Sequence, residues 1–114
     1  MQKNSLNKVL LIGRLGASPE ARYTSAGVPV VSFSLATNEF WKKKDGKQVE
    51  KVEWHNIVIW DKLAEIAQNS LSKGQLISVE GKLQTRSWVN KEGQTMKTTE
   101  IVCSNFILLE RKSI

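Results

Sequence analysis

The chain has 114 residues, 40% of them hydrophobic, which is the size of one domain with enough apolar side chain for a real core. Seventeen basic residues against eleven acidic ones give a net charge of +6, which favours an anionic partner. A single cysteine, Cys103, excludes an internal disulfide and fits a reducing compartment. Met1-Gln2-Lys3-Asn4-Ser5 carries no hydrophobic secretory core, and no apolar run reaches membrane-spanning length. The expected setting is the cytoplasm, in contact with the nucleoid, or an organelle interior such as the mitochondrial matrix.

Asn7 to Leu15 is the first predicted strand, and its Val9-Leu10-Leu11-Ile12 is apolar on both parities. Such a strand needs cover on both sides, either from another subunit or from the chain's own helix. Gly16 to Pro29 has the glycine and proline punctuation of a loop. Val30 to Asn38 is the second strand, with Val31, Phe33 and Leu35 on one face. Glu39 to Lys51 is a charged connection turning at Asp45-Gly46. It is either a solvated hairpin tip or a basic arm for phosphates.

Val52 to Trp60 is the third strand. Asp61 is then placed to cap a helix over Lys62 to Leu71, with Leu63, Ile66, Ala67 and Leu71 at helical spacing and Gly74 as the stop after Lys73. Leu76 to Trp88 is a long fourth strand, Asn90-Lys91-Glu92-Gly93 a hairpin turn, and Thr95 to Leu109 a last, bent strand. Three strands, one short helix and two strands point to an all-β fold, a five-stranded Greek-key barrel of the OB type. The same spacing also permits another small barrel. No repeat or linker divides the chain, so one domain is expected over residues 1–114, with an ordered core over about 5–110.

The four tryptophans carry the functional signal. Trp54 and Trp60 share parity on one strand, with Asn56 and Val58 between them. Trp88 shares parity with Lys82, Gln84 and Arg86 rather than with apolar Leu83. Trp41 stands before Lys42-Lys43-Lys44. Burial is the ordinary role of tryptophan, and Trp60, following Ile57-Val58-Ile59, fits it best. Indoles grouped with cations instead suit stacking on the bases of a single strand while lysine and arginine hold its phosphates.

Little in the chain suits catalysis. His55 is the only histidine, and Cys103 lies in an apolar run as a packed thiol. One histidine and one cysteine do not make a zinc set. The glycines before Lys82 are wrongly spaced for a phosphate loop, and no serine or threonine follows. No enzyme activity, cofactor or metal is therefore expected.

Asn7-Lys8-Val9-Leu10-Leu11-Ile12-Gly13-Arg14-Leu15-Gly16 and Pro19-Glu20-Ala21-Arg22-Tyr23-Thr24 strongly resemble the bacterial-type single-stranded DNA-binding proteins. The likeness continues in order through Phe33-Ser34-Leu35-Ala36-Thr37-Asn38, Glu53-Trp54-His55, Lys62-Leu63-Ala64-Glu65, Val79-Glu80-Gly81-Lys82-Leu83, Thr85-Arg86-Ser87-Trp88 and Thr98-Thr99-Glu100-Ile101-Val102. The resemblance implies an OB-fold homotetramer that wraps and protects single-stranded DNA in replication, recombination and repair. It places base-stacking aromatics at Trp41, Trp54, Trp60 and Trp88. It places basic contacts at Arg22, Lys43, Lys62, Lys73 and Arg86. His55 falls at the family's subunit interface, joined by the first strand with Val9 and Leu11.

Three features depart from the family pattern. Asn56 and Gln84 stand where relatives often have arginine. The glycine-rich, acidic-tipped tail that recruits replication, recombination and repair proteins does not follow Ile114, as in a truncated chain or a tailless relative of the mitochondrial kind. The alternatives weighed against single-stranded DNA are a primosome-type OB interaction module and an RNA-binding OB domain.

Overall fold

The computed structural model describes residues 3–110 of the chain. The outermost residues of the expected 1–114 domain therefore lie outside the described residues. The elements run β1 (Val9–Leu15), β2 (Glu20–Tyr23), β3 (Pro29–Lys42), β4 (Gln48–Trp60), α1 (Asp61–Ser70), β5 (Leu76–Val89) and β6 (Thr95–Leu108). Hydrogen-bonded neighbours follow β1-β5-β6-β4-β3, and β1 meets β3 through Arg14↔Ala36 and Leu15↔Leu35. That last pairing closes a five-stranded barrel. Within it β4 and β6 run parallel at Ile57↔Ile101 and Val58↔Val102, and the other pairings are antiparallel. This is the expected OB architecture.

Alternation builds the core. Val31, Phe33 and Leu35 of β3, Ile57 and Ile59 of β4, and Ile77 and Val79 of β5 all point inward and are buried. Leu15, Ile101 and Cys103 complete the strands' contribution. Ala64 and Ala67 of α1, with Leu71 just after it, are buried against the same cluster. Small side chains let the helix approach closely. Ile66, expected on the buried face, is exposed instead.

The helix start differs from the expectation. Trp60 occupies the N-cap and no side chain caps the helix, while Asp61 is its first residue, with φ of 61°. The sharp exit from β4 needs a left-handed residue, which aspartate tolerates better than most. Gly74, at φ of 84°, lies beyond the helix in the turn into β5, where its amide donates to the Leu15 carbonyl.

Two hairpins project from the barrel. The connection expected over 39–51 is mostly strand, since β3 and β4 stay paired out to Lys42↔Gln48. The turn falls at Asp45-Gly46, where Asp45 Oδ1 accepts the Lys47 amide and Gly46 has φ of 85°. The second hairpin pairs β5 with β6 out to Val89↔Thr95 and turns on Asn90, whose Oδ1 accepts the amides of Glu92 and Gln94. The bend in β6 is a bulge, because Glu80 opposes Asn105 while Gly81 opposes Cys103. A Cβ on Gly81 would strike the Val102 carbonyl oxygen, so the closest approach of β5 to β6 requires glycine.

One element was not anticipated. β2, within the stretch expected to be loop, adds to the outer edge of β3 from Glu20↔Ser32 to Tyr23↔Pro29. Every residue of β2 is exposed, so no apolar alternation marks it.

Candidate nucleic-acid interface

The interface is assembled on the solvent side of β3 and β4. Trp54, Asn56, Val58 and Trp60 form one row of β4, opposite Ala36, Ser34, Ser32 and Val30 of β3. Between and opposite the two indoles the side chains are short, and Val58 and Val30 at the Trp60 end are buried. Trp54 is 57% exposed and Trp60 43%. Burial of Trp60 is therefore incomplete, despite its Ile57-Val58-Ile59 approach, because it sits at the strand's end where the chain turns away into α1.

Beside the middle of this row lies a groove of about 410 Å³, lined by Ser32, Ser34, Asn56 and Val58 of the two strands and by Arg22 and Arg86; the tryptophans border the row but do not line the groove itself. β2 supplies Arg22 because Arg22 pairs with Val30 and so projects beside the Trp60 end of the row. The second hairpin supplies the other wall. On β5, Lys82, Gln84, Arg86 and Trp88 share parity as expected, facing Val102, Glu100, Thr98 and Met96 of β6. Trp88 is 40% exposed, and its Nε1–H donates to Thr98 Oγ1 at 2.8 Å. Thr98 itself lines the groove, so Trp88 stands at the groove's edge.

The remaining predicted residues are spread more widely. Lys73 donates its amide to Ser18 Oγ at 3.4 Å, which brings the lysine to the groove's rim, where Ser18 lies. Lys62 is exposed on the first turn of α1, two positions beyond Trp60. Trp41 and Lys43 are on the first hairpin, far along the ribbon from the groove. By register it is exposed Phe40, not Trp41, that shares the parity of Ala36 and Ser34. Trp41 belongs to the opposite face of that ribbon.

The groove is not purely cationic. Glu20 and Glu100 both line it. Arg86 Nε donates to Glu100 Oε1 at 3.0 Å, with the glutamate side chain 12% exposed and the arginine 50%. Among the described residues, Arg22, Lys43, Lys62 and Lys73 enter no ion pair, the paired cations being Lys8, Arg14 and Arg86. The acidic partner of Arg86 was not foreseen, since it depends on a register set by the hairpin turn and the bulge. Ser32, Ser34 and Thr98 were also missed. They share parity with Asn56 and Arg86, but short hydroxyl side chains on a strand carry no binding signal of their own in the sequence.

His55, Val9 and Leu11 lie elsewhere. His55 is half-buried with Nε2 3.0 Å from Thr37 Oγ1, in a depression shared with Leu10, Leu11 and Ile12. Val9 and Leu11 pack partly on the barrel core, while Leu10 and Ile12 face outward, 68% and 59% exposed. The first strand is thus apolar on both faces as predicted, with the uncovered face formed by the even positions. Cys103 is buried and donates to the Asn105 carbonyl, and desolvation pushes its pKa up to about 11. No group of three or more metal-ligating side chains occurs among the described residues, and none of their helices is long and apolar enough to cross a membrane.

A closed OB barrel bearing an open row of indoles beside cations defines a class of polynucleotide-binding domain. Residues 6–109 match the single-strand binding protein family, and the chain belongs to that family. It is 51% identical over 108 residues to single-stranded DNA-binding protein 1 of Chlorobaculum tepidum, covering 94% of this chain and 67% of the relative. It is 49% identical over 109 residues to single-stranded DNA-binding protein 1 of Xylella fastidiosa, covering 95% and 80%. Among solved structures, the Plasmodium falciparum SSB complex with ssDNA superposes with a TM-score of 0.82 at 38% identity, covering 96% of this chain and all of that one.

Proposed function

We propose that this chain binds and protects single-stranded DNA with little regard to sequence, as a non-enzymatic component of replication, recombination and repair. The observation that carries this reading is the row from Trp54 to Trp60, two half-open indoles on one strand whose intervening residues, Asn56 and Val58, line a groove shared with Arg22 and Arg86. Six residues at about 3.3 Å each separate the rings by roughly 20 Å, room for several nucleotides. Each stacked base is worth about 1–3 kcal/mol, independent of its identity because every base has a π-face. Trp88, Lys62 and Lys73 extend the contact around the groove, and Trp41 and Lys43 act as an outlying arm on the first hairpin. Cation–phosphate contacts add a salt-sensitive, sequence-independent contribution.

Assembly is the second part of the proposal. The outward face of β1, with Leu10 and Ile12 beside His55, is an apolar surface suited to a second copy, and a homotetramer would present several grooves to one strand at high effective concentration. Its place is wherever DNA is unpaired, in the cytoplasm or an organelle interior. Recruitment of other replication and repair proteins is not assigned to the described residues.

The test is a titration with oligo-dT followed by intrinsic fluorescence. Stacked indoles quench strongly, and an equal length of RNA competes poorly. An unchanged spectrum at saturating oligo-dT, or a preference for RNA, would defeat the proposal. DNA-dependent nucleotide turnover by the pure protein would defeat its non-enzymatic part.

A further inference from the structure

The Trp54 indole does not stand free. A Cβ placed on Gly16 would lie 2.5 Å from Trp54 Cζ3, 2.9 Å from Cη2 and 3.5 Å from Cε3. The benzene half of the indole therefore rests directly on the Gly16 backbone. Opposite Trp54, Ala36 is too short to stand in the way of a ring reaching across β3. Gly16 is itself fixed, since its amide donates to the Ser34 carbonyl at 2.9 Å and Ser34 belongs to the groove floor. The ring is supported on one side, and the residue remains 57% exposed.

The backbone conformation at this position does not demand glycine. Gly16 is not among the residues of positive φ, so alanine fits its backbone without strain. It follows the last residue of β1 and takes no part in the β1 pairings. By contrast, a Cβ on Gly13 or Gly81 would meet backbone carbonyls inside the barrel, which is a folding requirement. At Gly16 the three nearest neighbours of the missing methyl group are all ring atoms of an indole that the fold does not need in that position.

We propose that Gly16 is a positioning residue for base stacking, its bare backbone forming the rest on which Trp54 is held in a single orientation toward the strand. The proposal rests on the reading of Trp54 as a base-stacking residue. A ring already oriented loses less side-chain freedom when a base settles on it, so the platform contributes affinity by pre-organisation. A methyl group at position 16 would swing the indole aside and leave the barrel intact.

The experiment is a double-mutant cycle of Gly16→Ala and Trp54→Ala, read by oligo-dT affinity at fixed salt, thermal midpoint and acrylamide quenching of the free protein. Gly16→Ala is expected to weaken binding by about 3- to 30-fold, no more than Trp54→Ala does. Its midpoint stays at or above that of the wild-type chain, and its tryptophan quenching rises. In the Trp54→Ala background the same change has no effect on affinity or quenching. If Gly16→Ala lowers the midpoint, the clash requires Trp54→Ala to restore it. Wild-type affinity in Gly16→Ala, an equal loss in both backgrounds, or an unrestored midpoint would each overturn the role of Gly16 alone. Wild-type affinity in Trp54→Ala would overturn the stacking role of Trp54, and the role of Gly16 with it.

Discussion

Replacing Arg86 by glutamine tests the electrostatics of the groove in two ways at once. The guanidinium gives one Nε–H to Glu100 at 3.0 Å and keeps its Nη donors for phosphate. Without Arg86, one phosphate contact is lost and Glu100 is left on the groove wall with no cation to offset it. Loss of one contact lowers the slope of log affinity against log salt by about 0.7, so the gap between wild type and variant narrows about fivefold for each tenfold rise in salt. The uncovered carboxylate repels a phosphate about 6 Å away by roughly 0.7 to 2.8 kcal/mol across effective dielectrics of about 80 to 20, and screening at physiological salt about halves this. Adding Glu100→Gln to Arg86→Gln should therefore recover about 2- to 9-fold in affinity. Glu100→Gln alone should keep the wild-type slope and bind as tightly or more tightly. Because the Glu100 side chain is only 12% exposed, Arg86→Gln alone should also lower fold stability, and adding Glu100→Gln should restore most of that loss. The assay is oligo-dT titration over a range of salt concentrations. A wild-type slope in Arg86→Gln, or a double variant no tighter than the single, would refute the reasoning.

Thr98→Val removes the acceptor for Trp88 Nε1–H, which then turns to water because Trp88 is 40% exposed; stability should fall by about 0.5–1 kcal/mol and oligo-dT binding should weaken by less than in Trp88→Ala, as melting and titration will show. Burial raises the Cys103 pKa to about 11, so the reactive thiolate is roughly 0.1% of the thiol at pH 8 and grows as pH rises toward 11. Alkylation of the native protein at pH 8 should accordingly be slow and should accelerate sharply in denaturant. Replacing Leu10 and Ile12 with serine should shift sedimentation toward smaller species while the barrel's circular dichroism is retained, since both side chains face outward.

Period-2 alternation made the barrel legible. Val31-Phe33-Leu35, Ile57-Ile59 and Ile77-Val79 point inward as expected, and the same parity brought Trp54 and Trp60 onto one outward row. Elsewhere the alternation failed for physical reasons. The outer ribbon, Glu39–Lys42 against Gln48–Lys51, is mostly exposed on both faces, so its charged residues resemble a loop. β2 is held by backbone bonds to β3 and buries nothing. Trp60 has apolar sequence neighbours and an exposed position, because the direction of the chain changes immediately after it. The Arg86–Glu100 pair depends on cross-strand register, and the contact of Gly16 with Trp54 spans separate elements. Neither leaves a local pattern to read.

The most direct measurement is the oligo-dT affinity of a chain carrying Trp54→Ala and Trp60→Ala together, with its thermal midpoint followed in parallel. Two lost stacking surfaces predict a decrease of about 30-fold or more, with the barrel still folded at the temperature of the titration. Wild-type affinity in the folded double variant would contradict the account, as would a loss of binding that merely follows a loss of folding.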